Sequence, residues 1–390
     1  MNTIDDTYLT EDQVARMKLP LEEAFNFPRA AYVSDHIYRE ESKHLFLDNW
    51  VNLAHVSELP NAGDYICVDV FDYPLVVTRG RNDDFHVMSR VCQHKGTLLA
   101  EGRGNASVFV CPFHAWSYNL DGSLKAAPLM EKSSNFDKSS CRLSQIPMEI
   151  WEGFIFVNVS GNAEPLAPQL EGLGQILANW NMADLVPGHE PVYYNQGQNW
   201  KINAESFLEA YHHLGAHIDT FQPTFPAANS HPIESSGLYS ILGFGPAQAS
   251  AATNIDGGDA LPFIEGLTED ERMEPLVVFV WPSLLLGVGP DQVAYYRLMP
   301  TSAESHDLWL NDLMPRSTVE DPSMKAAIEA RTEWATKIVH ESDDMPVFDL
   351  CQKGIRSPFY EQGRLSNPYE KCLWEFNQWW LEKLEQHVKK

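Results

Sequence analysis

The chain has 390 residues, of which 44% are hydrophobic, with 11 tryptophans and a formal net charge of −26. That length and apolar content describe a globular protein of two domains, or one domain carrying an inserted module, and exclude a disordered chain. The acidic balance argues against a nucleic-acid partner, whose phosphates reward clustered Lys and Arg. It serves solubility, and it can also steer a basic redox partner. The opening stretch MNTIDDTYLTEDQ lacks the basic-then-apolar order of a signal peptide. The longest apolar run, Leu276 to Gly289, is broken by Pro282 and Gly287 and is too short for a bilayer. A soluble, cytoplasmic protein with no membrane partner is expected.

In chain order, residues 33–60 predict a helix and then a strand entering a β-rich segment. Between Asp64 and Val159 short alternating stretches recur: DYICVDVFDYPLVVTRG, FHVMSRV, SVFVCPF and GFIFVNV. Turn sequences such as NAGD, RGRNDD and NLDG separate them, which predicts a small antiparallel sandwich. Residues 165–182 are Pro-rich and then helical, a boundary between modules. Residues 199–217 predict a strand end running into a helix, and three segments within 276–315 predict successive antiparallel strands. Helices are predicted over about 321–343 and about 369–388. In the second, Leu373, Phe376, Trp380 and Leu384 share helical spacing, as core packing does.

Only two of the six cysteines sit in motifs, Cys92 and Cys111. Cys67, Cys141, Cys351 and Cys372 are scattered, as small buried hydrophobes are, so no disulfide framework is expected. Cys92-x-His94 and Cys111-x2-His114 offer two thiolates and two imidazoles on two short loops. A structural zinc site uses such mixed ligands. A Rieske [2Fe–2S] centre also does, with imidazole replacing thiolate on one iron and raising the potential. The similarity of the two loops and a second metal-type motif downstream favour the cluster.

That second motif is AESFLEAYHHLGAHIDT, with Glu209, His212, His213 and His217. Two histidines and one carboxylate with open positions is the donor set of non-haem Fe(II) oxygenases. His213 and His217, four apart, share a face of a regular helix. His212 and His217 converge only if the helix is interrupted, and Gly215 offers a place for that. The carboxylate must come from elsewhere, and HESDDMPVFDLCQKGIRS supplies Glu341, Asp343, Asp344 and Asp349 without choosing among them.

With these motifs the chain resembles the α subunit of the Rieske non-haem iron (ring-hydroxylating) oxygenases over nearly its whole length. The resemblance runs through LFLDNWVNLAHVSELPNAGDY, the two ligand loops, GFIFVNV, the segment from Asn199 to His217, and DDMPVFDLCQKGIRS. It implies an α+β fold in which an antiparallel Rieske domain (46–162) is inserted into a helix-grip-like catalytic domain. Residues 1–45 would be the helical start of that domain, and 163–390 would carry the sheet, the mononuclear iron and the C-terminal helices. It further implies that Cys92 and Cys111 hold one cluster iron and His94 and His114 the other. His212, His217 and Asp344 would bind Fe(II), with Asp343 in the neighbouring acidic position. Glu209 would bridge the iron histidine to His114 of an adjacent subunit, which implies a homotrimer, with or without a β subunit.

Three departures are visible: Lys95 where the family's cluster loop commonly has Arg, Ser206 where many members have Asn, and Glu209 in place of Asp. A bridging Glu is similar to the branch acting on quaternary ammonium compounds. The implied function is a terminal oxygenase that uses O2 and electrons from a reductase or ferredoxin to mono- or dihydroxylate a small aromatic substrate. The alternative is a monooxygenase that hydroxylates or demethylates a quaternary ammonium or N/O-methyl substrate. No Gly-x-Gly-x-x-Gly fingerprint follows a predicted strand, so no built-in nicotinamide or flavin domain is expected.

Overall fold

The structure is a computed structural model describing residues 6–247 and 260–390. The chain divides into two units, one formed by Leu47–Leu166 and the other by Met1–Phe46 with Ala167–Lys390. Each has antiparallel sheet at its centre, as the α+β expectation requires.

In the first unit, β1 (Val51–His55), β10 (Phe154–Val157) and β9 (Met148–Trp151) form one sheet in the order β1-β10-β9. A second sheet runs β4 (Phe85–Ser89), β3 (Tyr73–Arg79), β2 (Asp64–Val70) and β5 (Arg103–Asn105). A third joins β6 (Phe109–Val110), β7 (Ser117–Tyr118) and β8 (Leu124–Ala126). Alternation places Val76 and Met88 inward, where they pack with Phe109, Trp116, Tyr118, Leu124 and Leu143 around Cys92 and Cys111.

In the second unit, eight described strands form one antiparallel sheet. β11 (Val186–Pro187) and β12 (Val192–Gln196) both pair with β18 (Ser305–Met314). From β18 the order continues through β17 (Val293–Ser302), β16 (Leu284–Val288), β15 (Leu276–Val280), β14 (Tyr239–Phe244) and β13 (Ser230–Ile233). The apolar run 276–289 is thus a hairpin, β15 and β16, turning at Trp281–Ser283.

The C-terminal helix Lys371–Val388 buries Leu373, Phe376, Trp380 and Leu384. Its Trp380 donates to Glu41 Oε1 at 2.7 Å, Trp200 donates to Oε2 at 2.9 Å, and Lys201 Nζ pairs with Oε1 at 2.6 Å. Lys201 and Glu41 are buried, so this ion pair ties helix Trp200–Phe207 into the core.

The long helix predicted over about 321–343 forms from Lys325, but it changes type along its length and runs on to Ile355. Helix Lys325–Glu333 passes into a π-helix at Trp334–Asp344, which leads into helix Met345–Ile355. A widened turn of this kind commonly marks a functional site. No helix among the described residues is long and apolar enough to cross a membrane.

Candidate metal centres

In the first unit the two ligand loops share one backbone design. Gly96 N donates to Cys92 O at 3.0 Å and Ala115 N to Cys111 O at 3.0 Å. Each loop is then closed from behind, by Cys92 N to Thr97 O (2.9 Å) and Cys111 N to Trp116 O (2.7 Å). The equivalent turn residues Gly96 and Ala115 both have positive φ, +75° and +57°. Glycine takes that conformation freely and alanine at a cost of about 1 kcal/mol, so the loop shape is enforced by its surroundings.

Both cysteines are buried, and the His94 and His114 ring centroids lie 4.5 Å apart. Burial pushes the Cys111 thiol up, but the backbone N–H groups of Phe113 and His114 outweigh it and lower its pKa. His94 lies flat against Trp116, with centroids 5.0 Å apart and planes within 7°. The Nδ1 atoms of His94 and His114 are buried and have no hydrogen-bond partner among the described residues. Two orphaned imidazole nitrogens beside two buried thiols suit a bound [2Fe–2S] cluster. Tyr118 Oη accepts from Gln93 N–H at 3.0 Å, which directs its own hydrogen towards Cys92 Sγ at 3.5 Å. Lys95 lies over the exposed Phe113 ring, 5.8 Å from its centroid.

In the second unit, helix Trp200–Phe207 ends early, and Tyr211–Leu214 forms a 3-10 turn before Gly215. The break brings His212 and His217 together, and the π-helix adds Asp344. One ligand atom from each of these three residues lies within 4.8 Å of the others. The regular-helix pair of His213 and His217 is not what forms. His213 Nδ1 donates to Phe225 O at 2.9 Å, and its ring stacks on Phe221. Burial and the neighbouring His212 push its pKa down to about 3, so it is a neutral core histidine.

The two gathered histidines have their tautomers fixed by carboxylates. Glu209 accepts from His212 Nδ1 at 2.7 Å and from its backbone N–H at 2.9 Å. Asp343 Oδ2 accepts from His217 Nδ1 at 3.1 Å and from Thr220 Oγ1 at 2.8 Å. Each Nε2 is therefore left with its lone pair, the form a metal ligand needs. His217 Nε2 faces Asp344 Oδ1 at 3.0 Å, and that buried oxygen receives no hydrogen bond. Two lone pairs opposed at this distance repel unless a cation lies between them, so the donor set fits a bound iron. Of the other acids in the segment, Glu341 takes Lys337 Nζ and Tyr194 Oη, and Asp349 accepts from Gln198.

A cavity of about 200 Å³ opens beside these three residues. Phe207, Phe221, Trp334 and Tyr296 belong to its aromatic wall. Its floor uses small residues, Gly287 of β16 opposite Ala294 of β17, which leave the space open. Asp312 and the buried pair Arg331–Asp291 (3.3 Å) also line it. Tyr118 and the cavity residues on β17 carry no sequence signal, and Asp343 is one of four candidate carboxylates with no role separate from Asp344. Only adjacency to Asp344 singled out Asp343.

Residues 183–386 match the family model for the ring-hydroxylating α subunit (catalytic domain), and 49–147 match that for the Rieske [2Fe–2S] domain. The carnitine monooxygenase oxygenase subunit of Escherichia coli K12 is 27% identical over 359 residues, covering 88% of each chain. The glycine betaine monooxygenase oxygenase subunit of Chromohalobacter salexigens is 24% identical over 408 residues, covering 97% of this chain and 90% of its own. Among solved structures, a quaternary ammonium Rieske monooxygenase in complex with an inhibitor superposes with a TM-score of 0.80 at 24% identity, covering 98% of this chain and 99% of that one. The chain belongs to the ring-hydroxylating α-subunit family, as the terminal oxygenase component of a Rieske system whose cofactors are a [2Fe–2S] cluster and a mononuclear iron.

Proposed function

We propose that the chain monooxygenates a small quaternary ammonium compound at a carbon bonded to nitrogen. The observation that carries this reading is the cavity wall, where seven aromatic rings and the Asp312 carboxylate surround one small space, Asp291 being paired with Arg331. Aromatic faces and an acid together favour a cation that cannot donate hydrogen bonds. The names of the carnitine and glycine betaine relatives point the same way. The apolar floor of Val277, Val288 and Ala294 keeps an aromatic substrate as the second reading.

In this reading His212, His217 and Asp344 hold the iron, and Cys92, His94, Cys111 and His114 hold the cluster. When bound, the cluster supplies electrons singly and the iron supplies the activation of O2. The chain's own residues orient and insulate. Glu209 and Asp343 keep the histidine lone pairs aimed at the metal, and the aromatic wall excludes water from the reacting carbon. Glu209 would also accept a hydrogen bond from His114 of a neighbouring copy, giving electrons a path between subunits of a homotrimer. A closed ring with a heterologous interface satisfies that requirement. The electron donor is a separate reductase or ferredoxin.

The balanced reaction takes O2, two electrons and two protons. One oxygen atom becomes the hydroxyl on the carbon and the other leaves as water. The N–CH(OH) product then breaks its C–N bond, giving a tertiary amine, an aldehyde and a proton. Product analysis with a competent reductase tests this on carnitine, glycine betaine, choline and benzoate. An amine and an aldehyde are expected from one of the ammonium compounds. A cis-diol or phenol from benzoate, with no amine from any ammonium compound, would overturn it.

A further inference from the structure

We infer that the cavity contains a subsite for an uncharged oxygen of the substrate, a hydroxyl or carbonyl, formed by His340 and Tyr296. The inference rests on reading His212, His217 and Asp344 as the iron site, and not on the substrate being an ammonium compound.

His340 lies one helical turn before Asp344 on the π-helix, is 6% exposed and lines the cavity. Its ring is fixed on one side by Tyr194, with centroids 4.6 Å apart. Gln196 Oε1 accepts from Asn203 Nδ2 at 3.4 Å, which turns the amide nitrogen of Gln196 towards His340 Nε2 at 2.6 Å. His340 Nε2 is thus an acceptor, and a neutral ring then carries its hydrogen on Nδ1. Burial lowers the imidazole pKa and favours that neutral form. No described residue accepts from Nδ1.

Tyr296 lines the same cavity from β17, on the same face as Gln292 and Ala294. An edge-to-face contact with Phe207, 5.4 Å between centroids, holds the ring. Its hydroxyl has no partner among the described residues. Burial, then the charges of Asp312 and Asp344, raise the phenol pKa and keep it protonated.

Two donors without partners among the described residues therefore line the small cavity. Both donors are neutral and pair with an uncharged oxygen acceptor, while the Asp312 carboxylate lining the same cavity disfavours a substrate carboxylate there. Such a site favours a substrate bearing the oxygen over its deoxy analogue, because the analogue brings no acceptor to the two donors.

Titration calorimetry on the holoenzyme tests this with three probe pairs that differ by one hydroxyl: carnitine and γ-butyrobetaine, choline and ethyltrimethylammonium, salicylate and benzoate. The hydroxylated member of at least one pair should bind about three- to tenfold more tightly. Tyr296→Phe should abolish that preference without weakening the deoxy member. His340→Ala should reduce it, and His340→Gln, which keeps a donor, should restore part of it. Equal affinities within every pair that binds, equal weakening of both members by Tyr296→Phe, or no binding by any probe would overturn the subsite. A preference shown by salicylate alone would keep the subsite and reject the ammonium substrate. Binding of the ammonium pairs without preference, with none shown by salicylate either, would reject the subsite and keep the ammonium substrate.

Discussion

Asp343 and Asp344, neighbours in the chain, meet opposite nitrogens of one imidazole: Asp343 Oδ2 lies 3.1 Å from His217 Nδ1 and Asp344 Oδ1 lies 3.0 Å from Nε2. The π-helix makes this possible, because its wider coil turns successive residues through a smaller angle. One acid sets the tautomer and the other would join the proposed ligand set. Asp343→Asn removes the charge that orients His217 and should lower Fe(II) affinity about 10- to 100-fold. Anaerobic Fe(II) titration of the purified variant measures it, and wild-type affinity would show that Asp343 has no such role.

Glu209 caps the turn before His212 and fixes its tautomer. Glu209→Ala should weaken Fe(II) binding about 10- to 100-fold and, once the iron is restored with excess Fe(II), should still abolish coupled turnover, since the proposed path from the neighbouring cluster would be cut. Metal content, labile sulfide and single-turnover oxidation of the cluster measure the two halves separately. Normal turnover by an iron-replete Glu209→Ala trimer would remove Glu209 from the path.

Tyr118 directs its hydroxyl at Cys92 Sγ. A hydrogen bond to a ligand sulfur stabilises the reduced, more negative cluster. Tyr118→Phe should lower the reduction potential by the equivalent of about 1 kcal/mol, or about 40 mV for one electron. A spectroscopic redox titration measures the shift, and an unchanged potential contradicts the assignment.

The ligand loops were legible in the sequence because everything that builds them is local. Spacing, a glycine with positive φ and the flanking strands all lie within a few residues of Cys92 and Cys111. The second site was only partly legible. Periodicity favoured His213 with His217, and the structure instead gathers His212 because the helix stops after Phe207. Asp344 could not be separated from Asp343 by composition, since a π-helix has no signature in residue type. Tyr296 and His340 line one cavity through sheet and helix packing, which hydrophobic alternation does not encode.

Glu41 accepts hydrogen bonds from Trp200, Trp380 and Lys201, all in the core. Glu41→Ala leaves the Lys201 ammonium buried without its partner and should destabilise the unit by about 3–5 kcal/mol. Because Lys201 is on helix Trp200–Phe207, loosening should spread towards His212. Chemical denaturation of the apoprotein measures this, and a loss below about 1 kcal/mol would mean that the pair contributes little.

The most direct test of the account is the metal content of three alanine variants, at His212, His213 and Asp344. His212→Ala and Asp344→Ala should each lose the mononuclear iron while keeping the labile sulfide and the visible spectrum of the cluster, and His213→Ala should keep both. Full iron retention in Asp344→Ala or His212→Ala, or loss of the mononuclear iron in His213→Ala, would contradict it.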